Sequence, residues 1–527
     1  MSTTNQLPDR PNLEQLKKQA KSLLHAAQDR DPAALARFAT LPALASKPAA
    51  QIDPDGLALH DAQSVIAREY GFASWNALRD EVEARTLTFA AAVDEFVRSA
   101  TAGVPGRAER LLALYPRIAN ASLYTALVLG DLDGVEAHLR DHPEQVKQTG
   151  GLQQWEPLQY VCHNSIANTP ARREGQVAVA RRLCALGANP NVEYHWNWHP
   201  ELPRTALWAA VCVSRNLALA EVLLEAGANP TDGVTSHITG GGGDIAALEL
   251  LAKYKLNPNG VPGGVPPLVY AMTWSTNPAG LRWLLEHGAD PNLTFGPTGE
   301  APMHVAARRW DVPMIELLLQ HGADLERPNA DGRSPFAVAS LAGNAAVAQW
   351  LAAHGVKEVL SPLDQFVAAC ARGDRAAAES MLKAHPTLRG ELRHEHHLLL
   401  HRPAESGDAD VLDTMLACGF DPNNARDQDK VTPLHRAAMS GYPECVRVLL
   451  AHGAEVNVFD GMFTASPLIW AVEGRGHPRP NSDYIAVARL LIAAGVTQEW
   501  VVPEGAPSPE RTLEGLIDLK RDAAVPV

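Results

Sequence analysis

Residues Thr432–Asn457 read TPLHRAAMSGYPECVRVLLAHGAEVN. Thr432 is placed to cap a first helix, and Pro433 fits that helix's opening turn, where no backbone N–H is needed. Ala437 and Ala438 are small, so a second helix can pack closely against them. Val446, Leu449 and Leu450 give the second helix an apolar stripe. Gly453 follows it and is free to take the left-handed conformation that ends a helix. The stretch predicts two short helices folded against each other and stopped by glycine.

The same order of signals recurs along the chain, which is the mark of a repeat architecture. APMH at Ala301–His304 leads to HGAD ending at Asp324, SPFA at Ser334–Ala337 to HGV ending at Val356, and LLLH at Leu398–His401 to CGFD ending at Asp421. His401 and His435 are 34 residues apart. Copies with insertions start at EPLQ (Glu156–Gln159), TALW (Thr205–Trp208), PPLV (Pro266–Val269) and SPLI (Ser466–Ile469). This pattern resembles the ankyrin-repeat family, whose unit is about 33 residues with a TPLHxA signature. By that count about 11 units cover roughly four-fifths of the chain. The resemblance implies an all-α solenoid of stacked antiparallel helix pairs, with finger loops that border a concave face and bind protein.

Three units end differently, at Pro116, Pro143 and Pro386. The third follows SPLDQFVAACARGD, which we read as a restart, giving a first array over 87–360 and a second over 361–500. One continuous solenoid fits equally well. Ahead of the repeats, Leu13, Leu16, Ala20, Leu23 and Leu24 follow helical spacing, and further helices are expected over Asp61–Tyr70 and from Ser74. This 1–86 block resembles a short helical module that precedes ankyrin arrays in bacterial proteins. Pro503, Pro507 and Pro509 mark a linker within 501–527, before a short helix near Thr512–Lys520.

Of the 527 residues, 46% are apolar and 20% charged, as in a folded protein. The net charge of −14 argues against nucleic acid or anionic membrane as the main partner, because both bind through cations. The six cysteines, Cys162, Cys184, Cys212, Cys370, Cys418 and Cys445, form no CxxC pair and suit small buried hydrophobes in a reducing compartment. Residues Met1–Arg10 carry no apolar signal region, and no apolar run nears 20 residues. The expectation is a cytoplasmic monomer.

Several local features invite chemistry. Gly240–Gly243 lacks the Lys and Ser/Thr that a phosphate loop needs, since Asp244 and Ile245 follow; its register places it at the end of a first helix. His394, His396, His397 and His401 are dense enough to suggest zinc or nickel, but no acid or cysteine completes the ligand set. His401 holds the TPLH position, which in the family braces the turn, and the other three fall in a finger loop. VIAREYGFASWNALRDEV, from Val65, resembles a helix-turn-helix of the AraC type, yet Asp80, Glu81 and Glu83 outweigh Arg79 and Arg85 on the helix that would enter the groove. No GxSxG, HExxH, Walker or strand-following GxGxxG motif occurs, so neither an enzyme nor a cofactor site is expected.

The insertion VEYHWNWHPEL, Val192–Leu202, is the strongest candidate binding element. It lengthens one finger and carries Tyr194, His195, Trp196, Trp198 and His199, and aromatics are over-represented at interface hot spots. The opposite reading folds these rings back onto neighbouring helices. Trp274 and Trp310, near helix–helix turns, are further candidates for protein contact. Other insertions span His163–Gly175 and Gly474–Ser482.

Overall fold

The computed structural model describes residues 5–8, 10–42, 44, 48–102, 105–166, 169–196, 199–232, 242–260, 264–274, 277–356, 358–426, 429–461, 463–476, 478–497, 515–516 and 519; side chains at 105, 195–196, 199–203 and 274 fall outside this description. The chain divides into two compact units, Met1–Tyr194 with Arg204–Asn229, and His195–Pro203 with Pro230–Val527.

The first unit opens with α1 (Leu13–Gln28), α2 (Pro32–Phe38), α3 (Leu59–Glu69) and α4 (Trp75–Thr86). Asn12 caps α1 by accepting the Gln15 N–H (3.1 Å). Leu16, Ala20, Leu23 and Ala27 then form one buried stripe, which joins Phe38, Val65, Ile66, Leu78 and Val82 in a core of its own. Arg37 and Glu69 tie α2 to α3 through two parallel bonds of 2.7 and 2.8 Å.

Helix pairs follow: α5 (Phe89–Thr101) with α6 (Pro105–Leu114), α7 (Leu123–Leu129) with α8 (Leu132–Asp141), and α9 (Pro157–Cys162) with α10 (Pro170–Ala185). A hairpin of β1 (Glu193–Trp196) and β2 (His199–Thr205) leads into α11 (Ala206–Trp208). One π-helical turn, Ala209–Val213, connects α11 to α12 (Leu217–Glu225). The lengthened finger is thus a two-stranded hairpin, in keeping with the alternation of Tyr194 and Trp196. The insertion His163–Gly175 ends as helix, because Thr169 caps and Pro170 opens a segment rich in Arg, Glu and Gln.

In the second unit the pairs include Pro302–Arg309 with Val312–Gln320, Pro335–Leu341 with Ala345–Ala353, Pro433–Ser440 with Pro443–Ala451, and Pro467–Arg475 with Tyr484–Ala493. Gly453 has φ 86°, as the reference stretch predicts, and Gly441 ends the first helix of that pair in the same way with φ 75°. Leu516 and Leu519 are described within the expected C-terminal helix and are buried against the last repeats. Of Gly240–Gly243, the first two lie outside the described residues, as does His237; Gly243 is left-handed at φ 69°, the conformation of its counterpart Gly441. All six cysteines are free thiols, and among the described residues no helix is long and apolar enough to cross a membrane.

Two bonding patterns join one repeat to the next. In the first, an asparagine shortly after the end of one second helix reaches the residue that ends the next repeat's second helix, a glycine in each of the five cases below. Asn292 donates to Gly322 O (2.8 Å) and accepts from the Asp324 N–H (2.8 Å). Asn191, Asn259, Asn423 and Asn457 do the same with Gly227, Gly288, Gly453 and Gly495. In the second, a histidine accepts the backbone N–H three residues before it, capping its own helix. Its other ring nitrogen then donates to a carbonyl in the following repeat: His304 to Arg333 (3.2 Å) and His435 to Ala465 (3.1 Å).

Candidate functional site

Above α9 the chain builds an aromatic cluster from residues of two adjacent fingers. The first finger closes by an antiparallel bridge between Gly150 and Trp155. Gly151 sits at φ 67°, and a Cβ there would lie 2.7 Å from the Tyr160 hydroxyl, so glycine is required. That hydroxyl donates to Gly150 O (2.8 Å) and accepts the Gln153 N–H (2.9 Å). Burial pushes the Tyr160 phenol up to about 12. The Trp155 ring centre lies 4.9 Å from His163 and 4.7 Å from Tyr194, and His163 meets Tyr194 edge-on at 4.8 Å. Arg204 lies over the Trp208 ring, 4.5 Å from its centre, where the ring's quadrupole favours a cation.

His163 is buried and neutral, pushed down to about 3 first by loss of solvent and then by repulsion from Arg204. Its Nδ1–H donates to Gln159 O (3.2 Å). The Nε2 of His163, the Nε2 of Gln159 and the Nε1 of Trp208 lack hydrogen-bond partners among the described residues. A neutral imidazole, a protonated phenol and packed rings offer no activated nucleophile. What the arrangement supplies is packing for Tyr194 and Arg204, the hairpin residues that belong to the first unit.

Of the residues singled out in the sequence, Tyr194 is half-buried with its ring turned onto Trp155 and His163. Trp198 lies outside the described residues, as do the side chains of His195, Trp196, His199 and Trp274. Trp310 donates its indole N–H to Met272 O (2.9 Å) and lines a cleft of about 420 Å³ with Arg282, Arg309, Asp311 and Met314. Trp155, His163, Trp208 and Arg204 were not anticipated. A signal existed: Gln159 and Trp208 each occupy the fourth place of a TPLH-like tetrapeptide, the place that faces the next finger.

The histidine cluster requires a correction. His394, His396 and His397 lie on a short helix, not in a finger loop, and His396 braces the turn by accepting the Arg393 N–H (3.0 Å). His401 does not brace it. The ring is buried, with no well-formed hydrogen bond among the described residues and only the Asn424 backbone near enough to favour its charged form, and burial holds it down to about 3. Five extra residues extend this helix at its start, so the capping position moves to His396 while His401 keeps its distance from the closing Gly407. His394 bonds Asn424, and His397 accepts the Asp421 N–H. Among the described residues no three His, Cys, Asp or Glu side chains are grouped to hold a metal ion.

On the helix-turn-helix-like segment, Arg85 bonds Glu81 (2.7 Å), Arg110 approaches the same carboxylate (3.6 Å), and Arg79 pairs with Asp80 and Glu83.

The family profile described as ankyrin repeats (3 copies) matches two stretches, residues 293–360 and 367–498. Mouse Rabankyrin-5 is 26% identical over 214 residues, which is 38% of this chain and 18% of that protein. Human SH3 and multiple ankyrin repeat domains protein 2 is 30% identical over 177 residues, covering 32% of this chain and 9% of that protein. The chain therefore matches less than a fifth of the length of these relatives. An ankyrin repeat domain from Acinetobacter baumannii AYE aligns over 42% of this chain and 98% of its own, at 21% identity and a TM-score of 0.24. Residues 293–360 and 367–498 are thus ankyrin repeats, and the stacked helix pairs make the fold an all-α ankyrin-repeat solenoid.

Proposed function

We propose that this chain is a scaffold that binds a partner protein through its fingers and first helices and catalyses no reaction on it. The observation that carries this reading is the built base of the 193–205 hairpin. Tyr194 and Arg204, one on each strand, are locked to Trp155, His163 and Trp208. A hairpin held at both feet loses little conformational entropy on binding, and its Trp196 and Trp198 are of the type that anchors interfaces, with His195 and His199 as neighbouring contacts. Trp274 and Trp310 are secondary contacts in this reading. The scaffold acts as a cytoplasmic monomer, with 1–86 as a helical module, 87–360 and 361–500 as successive arrays, and 501–527 as a tail. Nucleic acid is disfavoured, because the cations of α4 are paired with carboxylates. The test replaces Trp196 and Trp198 together with alanine and measures what co-purifies from native cytoplasm. Loss of the partner supports the finger as its contact; full retention removes that role from the finger.

A further inference from the structure

In the first unit, α8, α10 and α12 border a groove of about 1000 Å³. Its existence depends on the insertion His163–Gly175, which makes α10 16 residues long where α12 has nine. The added turn is locked in place. A Cβ on Gly175 would lie 2.3 Å from Gly130 O, so two backbones meet there. Asn164 donates to Val128 O, and the buried Ser214 hydroxyl donates to Cys162 O.

The lining combines an apolar floor with cations. Val177 and Leu217 lie among alanines, and Arg173, Arg181, Arg182 and Arg215 border them, with Glu174 the one acid in the lining. Arg182 pairs with Glu136 at 2.8 Å and Arg181 loosely with exposed Glu225 at 3.8 Å. Arg173 and Arg215 form no ion pair among the described residues, in a chain whose net charge is −14. Four arginines against one glutamate give the lining a positive excess, with Arg173 and Arg215 available to a ligand, and this favours an occupant of opposite charge.

We propose that this groove docks an acidic amphipathic helix of a partner protein. A helix is the fitting occupant because the α10 wall presents Arg173, Val177, Arg181 and Ala185 at four-residue spacing, the ridge that another helix packs against. Apolar residues of the incoming helix cover Val177 and Leu217, and its flanking carboxylates meet Arg173 and Arg215. The proposal rests on the protein-interaction reading but uses a surface apart from the 193–205 finger.

The test uses the full chain and three fluorescein-labelled 16-residue synthetic peptides. One is an amphipathic helix with leucine on one face and glutamate on its flanks, the second is a scramble of it, and the third has lysine for every glutamate. Fluorescence anisotropy is expected to show that the acidic helix binds at least about tenfold more tightly than either control, and that added salt weakens it. Arg173→Glu with Arg215→Glu should weaken it about tenfold while circular dichroism stays unchanged. Equal binding of all three peptides, no binding by the acidic helix, or undiminished binding to the folded double variant overturns the proposal. Because the probe is synthetic, each of these results leaves the finger's role to its own test.

Discussion

At the scale of single residues, histidines decide much of the stability. His435 receives the N–H and hydroxyl of Thr432 and donates to Ala465 O. His435→Leu should cost about 2–4 kcal/mol, since it leaves buried partners unpaired. His401→Leu should be neutral or stabilising, because a buried imidazole without a well-formed hydrogen bond among the described residues is exchanged for a side chain that needs none. Denaturant titration of the two variants separates them, and equal losses would contradict the assignment. His163, His401 and His435 are held down to about 3, 3 and 4 by burial. The unfolded chain takes up these protons first, so stability is full above about pH 6.5 and falls as pH drops towards 4. The denaturation midpoint should decline over that window, and His401→Leu should flatten the decline. A flat profile in the parent chain would refute it. The HEHHLLLH stretch shows why the sequence misled here. Counting back from Gly407 gives His401, and only the folded helix start reveals that His396 does the capping.

At the scale of elements, the repeats were legible because each carries its own start and stop. Thr432, Pro433 and Gly453 act through local backbone preferences that need no knowledge of the partner repeat. The couplings between repeats were not legible, since an asparagine in a finger gives no sign of which carbonyl it will meet. Asn292→Ala should cost about 1–2 kcal/mol by freeing the Gly322 carbonyl and the Asp324 N–H. Hydrogen exchange should quicken at Asp324 more than at distant repeats, and uniform quickening would argue against a local clamp. The long α10 could have been read from Thr169 and Pro170, yet its reason lies in the backbone contact of Gly175 with Gly130. Gly175→Ala should lower stability by about 1–3 kcal/mol through overpacking. An unchanged denaturation midpoint would show that this contact can relax. The aromatic finger was recognised by composition, but that Tyr194 serves as its foot follows only from where Trp155 and His163 arrive in space.

At the scale of the whole molecule, stacked repeats bury their apolar faces against neighbours, so the chain lengthens without enlarging any single core. Within each unit, helix pairs packed in this way leave no enclosed core-sized cavity among the described residues, which suits the binding of another protein better than the enclosure of a small substrate. Internal periodicity was enough to reach the ankyrin-repeat fold, and the protein-binding role is the proposal drawn from it. The partner was not legible, because a few exposed side chains on a shared framework set specificity. Cross-linking mass spectrometry on the full chain with whatever protein co-purifies is the most direct measurement. Intermolecular links should concentrate on the 193–205 finger and the first helices beside it. A chain that elutes alone from a native cell extract, or links confined to residues 1–86, would contradict the account.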